Sequence, residues 1–330
     1  MNEHILEGKR ILLLYARFFG YDVLVKEKLE ALGAHVDLFD ARANINSFEK
    51  AIRKINAKYY FKKQRRFHEN IRKMNADVKY DFIFSNDVLD VEILKQYRNT
   101  YSSATMVLYM DDSVKNMREV ENTFKYYDRV LTFDKKDSET YHILFRPLFY
   151  VDLFNKPKNC ACEEKYDISF VGTCHSDRLS IIKKIQNCCA NYRYYFFCYM
   201  QSWFMYYYHY LLEKEYRNVK KDFFRFKSIS MKDVAKIMQM SKCVLDIQHP
   251  NQTGLTMRTI ETIGAKRKLI TTNPDVRNYD FYNEKNILII DRNNPIISDS
   301  FLEGVFQPLE KELYEKYSLS GWIKDVFVKE

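Results

Sequence analysis

Glycine and proline are scarce in this chain of 330 residues, which has 8 Gly and 6 Pro, against usual shares of roughly 7% and 5%. Each glycine therefore marks a place where the backbone has a reason to want one. No tract is of low complexity, and nothing repeats at a period of about 20–50 residues, which excludes solenoids and propellers. No run approaches the ~18 apolar residues of a membrane span. The opening MNEHILEGKR lacks a signal-peptide apolar core. The expected location is the cytoplasm, with peripheral contact to the inner face of a membrane left open. The 7 Cys are odd in number; Cys160 and Cys162 form C-x-C, and Cys188 and Cys189 are adjacent. Neither spacing is that of a zinc knuckle or a C-x-x-C redox pair, so free thiols in a reducing compartment are expected. No G-x-G-x-x-G follows a strand-like run, which argues against a nicotinamide dehydrogenase.

What is present is a large apolar inventory. Hydrophobic residues make up 46% of the chain, with 24 Phe and 26 Tyr, and this excludes a disordered protein. Lys, Asn, Tyr and Ile are abundant together, a pattern of nucleotide composition as much as of function. The length allows two ordinary domains. The formal charge of +9 suits an anionic partner: a phosphorylated small molecule, a nucleic acid or an acidic membrane surface.

Apolar runs alternate with helical periods. RILLLY (10–15), HVDLFD (35–40), YDFIFSND (80–87), TMVLYMDD (105–112) and RVLTFD (129–134) read as buried strands. Helices are expected near 21–33, 47–75, 88–98 and 115–124. NKPKNCACEEK (155–165) is polar and aperiodic, and reads as a linker. The rhythm then restarts with strands at 166–173, 192–199, 223–228, 243–248, 268–272 and 286–291. Helices are expected near 177–190, 202–218, 231–241, 254–264 and 299–329. The expected fold class is α/β, two Rossmann-like domains facing a central cleft. The expected boundaries are 1–155, 156–300 and a helical tail over 301–330 that packs back across the junction. Ligands of such sheets bind beyond the carboxyl ends of the strands, so the residues that follow each strand are the candidates.

TGLTMRTIETIGAKRKLITTN (253–273) is the most informative of these segments. Thr253 is placed to cap a helix and Gly254 to admit close backbone approach. The first amides, near Leu255, Thr256 and Met257, would form an anion site helped by the helix dipole. Arg258 adds a planar cationic fork suited to phosphate. Glu261, one turn deeper on the same face, can accept hydrogen bonds from ribose hydroxyls. The plain alternative is an amphipathic helix with an Arg258–Glu261 surface pair worth ~0.2–0.5 kcal/mol.

Followed by NILIID, this segment resembles the nucleotide-sugar site in the C-terminal domain of GT-B glycosyltransferases, and within them the CgeB-like and the capsule or lipopolysaccharide biosynthesis groups. The resemblance covers roughly residues 166–292 of this chain. It implies a nucleotide-diphosphate sugar as donor, ribose at Glu261 and diphosphate at the helix start. It also implies a growing surface glycan, free or lipid-linked, as acceptor. The second acidic residue that many retaining members carry eight positions earlier has no counterpart, because position 253 is Thr253.

Other strand ends add candidates. Gly172 and Thr173 follow a strand in ISFVGTCHSDR, where amides can cradle a phosphate, with Ser176 and Arg178 beside them. His249 lies in the loop before the key helix. Arg17 and Gly20 follow the first strand and would line the cleft. Asp111 and Asp112, in YMDDS, offer a general base for an acceptor hydroxyl, and a plain alternative is that one of them caps the next helix. They do not form a D-x-D, so neither a metal nor any cofactor beyond the co-substrate is expected. Segment 50–73 has ten Lys or Arg against one Glu. It reads as a basic amphipathic helix for an anionic membrane surface. Nucleic acid is the disfavoured partner; a nucleic-acid-binding protein and a non-catalytic nucleotide binder of the same fold are the rival readings. The aromatic stretch 192–210 reads as core.

Overall fold

A computed structural model describes residues 4–43, 57–117, 119–155, 163–188 and 191–328. The chain divides into two compact units, Met1–Pro147 with Leu319–Glu330, and Leu148–Ser318.

In the first unit β1 (Arg10–Leu14), α1 (Tyr21–Ala31), β2 (His35–Phe39), α2 (Ala57–Met74), β3 (Phe82–Ser85), α3 (Val91–Thr100), β4 (Thr105–Met110), β5 (Arg129–Thr132), α4 (Lys135–Tyr141) and β6 (Leu144–Phe145) follow in turn. The strands form one sheet in the order β2-β1-β3-β4-β5-β6. All its pairings are parallel. The central strands are buried over nearly their whole length, which is why they read as continuous apolar runs. The helix expected over 115–124 is instead two 3₁₀ segments, Val114–Asn116 and Val120–Tyr126. Glu119 between them is left-handed (φ 57°), so no single helix can run through.

α2 carries the described part of the basic segment; Ile52 and Ile55 lie outside the described residues. The helix is anchored by a buried polar group. Gln64 donates to Ala41 O (2.6 Å) and accepts from the Ala43 amide (2.7 Å), and His68 lies 3.0 Å from the Tyr97 hydroxyl and 3.1 Å from Ala41 O. Burial lowers His68 to about 4, so it is neutral. The helix Leu319–Ile323 belongs to this unit. Its Trp322 is fully buried and meets the rings of Tyr109 and Phe84 edge-on, at 4.9 and 5.7 Å.

The second unit contains β7 (Tyr166–Thr173), α5 (Arg178–Cys188), β8 (Tyr194–Tyr199), α6 (Trp203–Leu212), α7 (Lys214–Arg217), β9 (Phe224–Arg225), α8 (Met231–Gln239), β10 (Ser241–Asp246), α9 (Met257–Gly264), β11 (Lys268–Thr271), β12 (Ile287–Ile289), α10 (Asp299–Glu303) and α11 (Lys311–Lys316). Its sheet is also parallel and six-stranded, in the order β12-β11-β10-β7-β8-β9. That is the doubly wound order, and the strand direction of travel reverses between β7 and β10.

Chain passes to the second unit before the polar stretch that reads as a linker. Leu148, Phe149, Tyr150, Val151 and Phe154 are all buried, and Tyr150 is tied to Tyr317 O by its amide (2.9 Å). The aromatic stretch 192–210 divides: Cys198, Met200 and Tyr206 lie in the core, with Tyr194 and Phe196 packed against it, as expected, whereas Trp203, Phe204, Tyr207, Tyr208 and Tyr210 are exposed.

Candidate functional site

The reversal between β7 and β10 makes a crevice at the carboxyl ends of the second sheet, the place where open α/β sheets bind ligands. Arg178, at the start of α5, spans it. Its Nη1 donates to Thr173 O (2.9 Å) at the end of β7, and its Nε donates to Ile247 O (2.7 Å) just after β10. At Gly172, the next-to-last residue of β7, an added Cβ would lie 2.9 Å from Phe170 Cζ and 3.5 Å from Arg178 Nη1, so a larger residue would push the Phe170 ring aside. Burial lowers the Arg178 pKa, and the charges of Arg258 and Arg292 lower it further, so three guanidinium groups share the crevice. Arg292 binds Asp177 through Nη1 (2.7 and 2.8 Å) and Gln248 O through Nη2 (2.5 Å).

The helix start departs from the sequence reading. Thr253 does not cap it: α9 begins at Met257, and Thr256 is the N-cap, with Oγ1 accepting from the Thr259 amide (3.2 Å). The reason is Asp246, the last residue of β10. Its buried carboxylate accepts from the hydroxyls of Thr256 and Thr259, each at 2.6 Å, and this fixes where the first turn forms. Thr253 O and Gly254 O instead accept from Asn273 Nδ2, at 3.3 Å each, so Gly254 is buried under the strand end of β11. The amides of Met257 and Arg258 have no acceptor within the helix, as at any helix start.

Glu261 is buried, and it is not in hydrocarbon. Arg258 Nη1 donates to its Oε2 at 2.6 Å, while Arg258 Nη2 reaches Val171 O at 3.3 Å. The pair is therefore a mostly buried one and not the surface pair of the plain alternative. Arg258 Nε is buried with no hydrogen-bond partner. Gly264, at the far end of α9, is required by Tyr150, whose ring carbons would lie 2.5–2.8 Å from an added Cβ. His249 is exposed, with its ring 5.8 Å from that of His175. Burial, with Arg178 and His249 adding, lowers His175 to about 4.

In the first unit the two acidic candidates have different surroundings. Asp112 accepts from the Ser113 amide (2.8 Å) and from Asn116 Nδ2 (2.9 Å), which ties it to the local turn. Asp111 accepts from Asn86 Nδ2 (3.0 Å), and Asn86 Oδ1 accepts from the Ala16 amide (2.7 Å). That asparagine links the ends of β1 and β3, where this sheet reverses. Asp111 is exposed as a residue, and the carboxylate oxygen that meets Asn86 is only partly covered. Desolvation, with Asp87 and Asp112 adding, raises its carboxyl to about 6 against the pull of Asn86. Arg17 is exposed and 3.7 Å from Asp40. Gly20 has open space around it, and its φ of 83° starts α1, which is a conformational need and not a close approach.

Asp246, Asn86, His175, Arg292 and Thr259 escaped the sequence reading. Arg292 follows the run NILIID, so the strand-end rule could have found it; Asp246 lies inside the run CVLDIQ and becomes a strand end only because β10 stops two residues early. Among the described residues, no three His, Cys, Asp or Glu side chains gather as metal ligands, and no helix is long and apolar enough to cross a membrane.

No family model matches the sequence, and no curated protein matches it. Solved structures do. HepE of Anabaena in complex with UDP-glucose is similar at 10% identity over 96% of this chain and 98% of that one, with a TM-score of 0.61. The chain has the GT-B fold. A glycosyltransferase of Rickettsia africae matches this GT-B chain at 11% identity over 98% and 100% of the two, with a TM-score of 0.61. AviGT4, a glycosyltransferase involved in avilamycin A biosynthesis, matches at 7% identity over 96% and 94%, with a TM-score of 0.57.

Proposed function

We propose that this GT-B chain is a glycosyltransferase. It moves a sugar from a nucleotide-diphosphate sugar to a hydroxyl of a surface glycan, free or lipid-linked, at the cytoplasmic face of a membrane. It uses no metal or other cofactor. Its place is with the CgeB-like and capsule or lipopolysaccharide biosynthesis enzymes. One observation carries the reading. Strand ends β7 and β10, the start of α9 and three arginines meet at the reversal point of the second sheet, where such sheets hold nucleotides.

In this reading the diphosphate lies against the amides after Gly172 and those of Met257 and Arg258, with Thr173 and Thr256 beside them. Arg258, whose Nε lacks a partner, turns part of its fork to a phosphate oxygen. Glu261 accepts from the ribose hydroxyls, and His249 closes over the donor. The acceptor oxygen forms a bond to the anomeric carbon as the bond from that carbon to the phosphate oxygen breaks. The nucleoside diphosphate leaves with the electron pair, stabilised by these cations and amides. The proton goes to Asp111, whose raised pKa makes it a better base than an ordinary aspartate.

The test is thermal shift against nucleoside diphosphates and their sugars, beginning with UDP and UDP-glucose, since a ligand of the native state raises its apparent stability. A selective shift is expected, and Glu261→Ala should remove it. Release of nucleoside diphosphate should then proceed with EDTA present. If no nucleotide shifts the protein, the reading fails. Binding without turnover leaves the non-catalytic rival, and steep salt-dependent binding to DNA or RNA would favour the nucleic-acid rival.

A further inference from the structure

α6 (WFMYYYHYLL) buries little of itself. Tyr206 is buried and Met205 and His209 are half-buried, whereas Phe204, Leu211 and Leu212 are 76%, 73% and 63% exposed. Phe204, Tyr207, Tyr208 and Leu211 follow the i, i+3, i+4, i+7 spacing of one helix face, with Trp203 and Leu212 at its flanks. A soluble surface rarely concentrates so many large apolar groups on one face of a helix of fewer than three turns. The helix contains no Asp or Glu, and the stretch 213–227 behind it has six Lys or Arg against three acidic residues. Lys221 Nζ stands 4.0 Å over the Trp203 ring and 3.4 Å from the Tyr207 hydroxyl.

Trp and Tyr at the rim, Phe and Leu at the centre and lysines alongside is the composition of a helix lying in a lipid–water interface. A second copy of the chain would bring these lysines towards their own kind, whereas an anionic headgroup layer complements them. We propose that the exposed face of α6 docks this protein onto an anionic lipid bilayer, with Phe204 and Leu211 entering below the headgroups. The inference does not depend on the reaction assigned above.

The test is flotation of the full chain with vesicles of equimolar phosphatidylglycerol and phosphatidylcholine, and with phosphatidylcholine alone. Of the two tryptophans, Trp322 is fully buried and Trp203 is half exposed, so a blue shift on adding vesicles reports Trp203. The expected result is flotation with the anionic vesicles and a Trp203 blue shift. Partitioning should fall more than about tenfold in the triple variant Phe204→Ser, Leu211→Ser, Leu212→Ser. These side chains are exposed, so the variant should melt with the parent, and circular dichroism checks that. A second variant, Lys62→Glu with Arg66→Glu, alters the basic face of α2. If it abolishes flotation while the triple variant does not, the docking element is α2 and the proposal is wrong. Absence of flotation overturns it, as does a lipid-free dimer in sedimentation velocity that the triple variant dissolves.

Discussion

Gly264→Ala should destabilise the second unit, although alanine is ordinarily the better helix residue. In a helix the exchange normally gains ~1 kcal/mol. Here the new Cβ would lie 2.5 Å from Tyr150 Cγ, 2.7 Å from its Cβ and 2.8 Å from its Cδ2. The ring has no freedom to retreat. It is fully buried, its hydroxyl donates to Tyr314 O (3.1 Å), and its amide is held by Tyr317 O (2.9 Å). The Tyr314 hydroxyl in turn donates to Gly264 O at 2.6 Å, so α9 is pinned at the same point. Overpacking of a tight core costs ~1–3 kcal/mol, and with three pinned carbons the upper half applies, for a net loss of about 1–2 kcal/mol. Urea unfolding followed by circular dichroism measures it. Relief should be visible as non-additivity: Tyr150→Leu, costly alone, should cost less in the Gly264→Ala background. Because α9 also carries Arg258 and Glu261, nucleotide affinity should weaken in the single variant. A Gly264→Ala protein as stable as the parent would refute this account of the glycine.

Asp111→Asn should remove the acidic limb of the pH–rate profile. A base raised to about 6 must be ionised to act, so transfer in the parent should fall as pH drops through about 6. The same shift has a stability sign. Between 3.8 and about 6 the native state holds the proton more tightly than the unfolded chain, so this contribution to stability declines as pH rises through that window. The asparagine variant should lack the decline. Thr256→Val removes both the cap of α9 and one of two hydroxyl donors to buried Asp246. A loss of about 2 kcal/mol in chemical denaturation is expected, and Thr256→Ser should recover most of it.

The strand–helix alternation was legible because each central strand is buried on both faces and therefore reads as an unbroken apolar run. Short edge elements such as β6, two residues long, leave no such trace. The start of α9 was misplaced by local reasoning. Thr253 and Thr256 are both acceptable caps, and the choice is made by Asp246, ten residues from Thr256 in sequence but 2.6 Å away. α6 was read as core because aromatic density carries no sign of direction. Only the burial of Tyr206, against the exposure of Phe204 among the described residues, tells which face is covered. Asp111 and Asp112 are adjacent and look equivalent; Asn86, just past the end of β3, separates their surroundings.

Trp322 closes the face of the first sheet from the far end of the chain, against Phe84 and Tyr109. During synthesis, those two rings emerge from the ribosome long before their cover does. The first sheet must therefore wait, with an open apolar side, while the whole intervening unit is translated. Residues 148–318 can complete their own packing in that interval. A nascent chain arrested before Leu319 should thus be a better substrate for chaperones and proteases through its amino-terminal part than through the part made later.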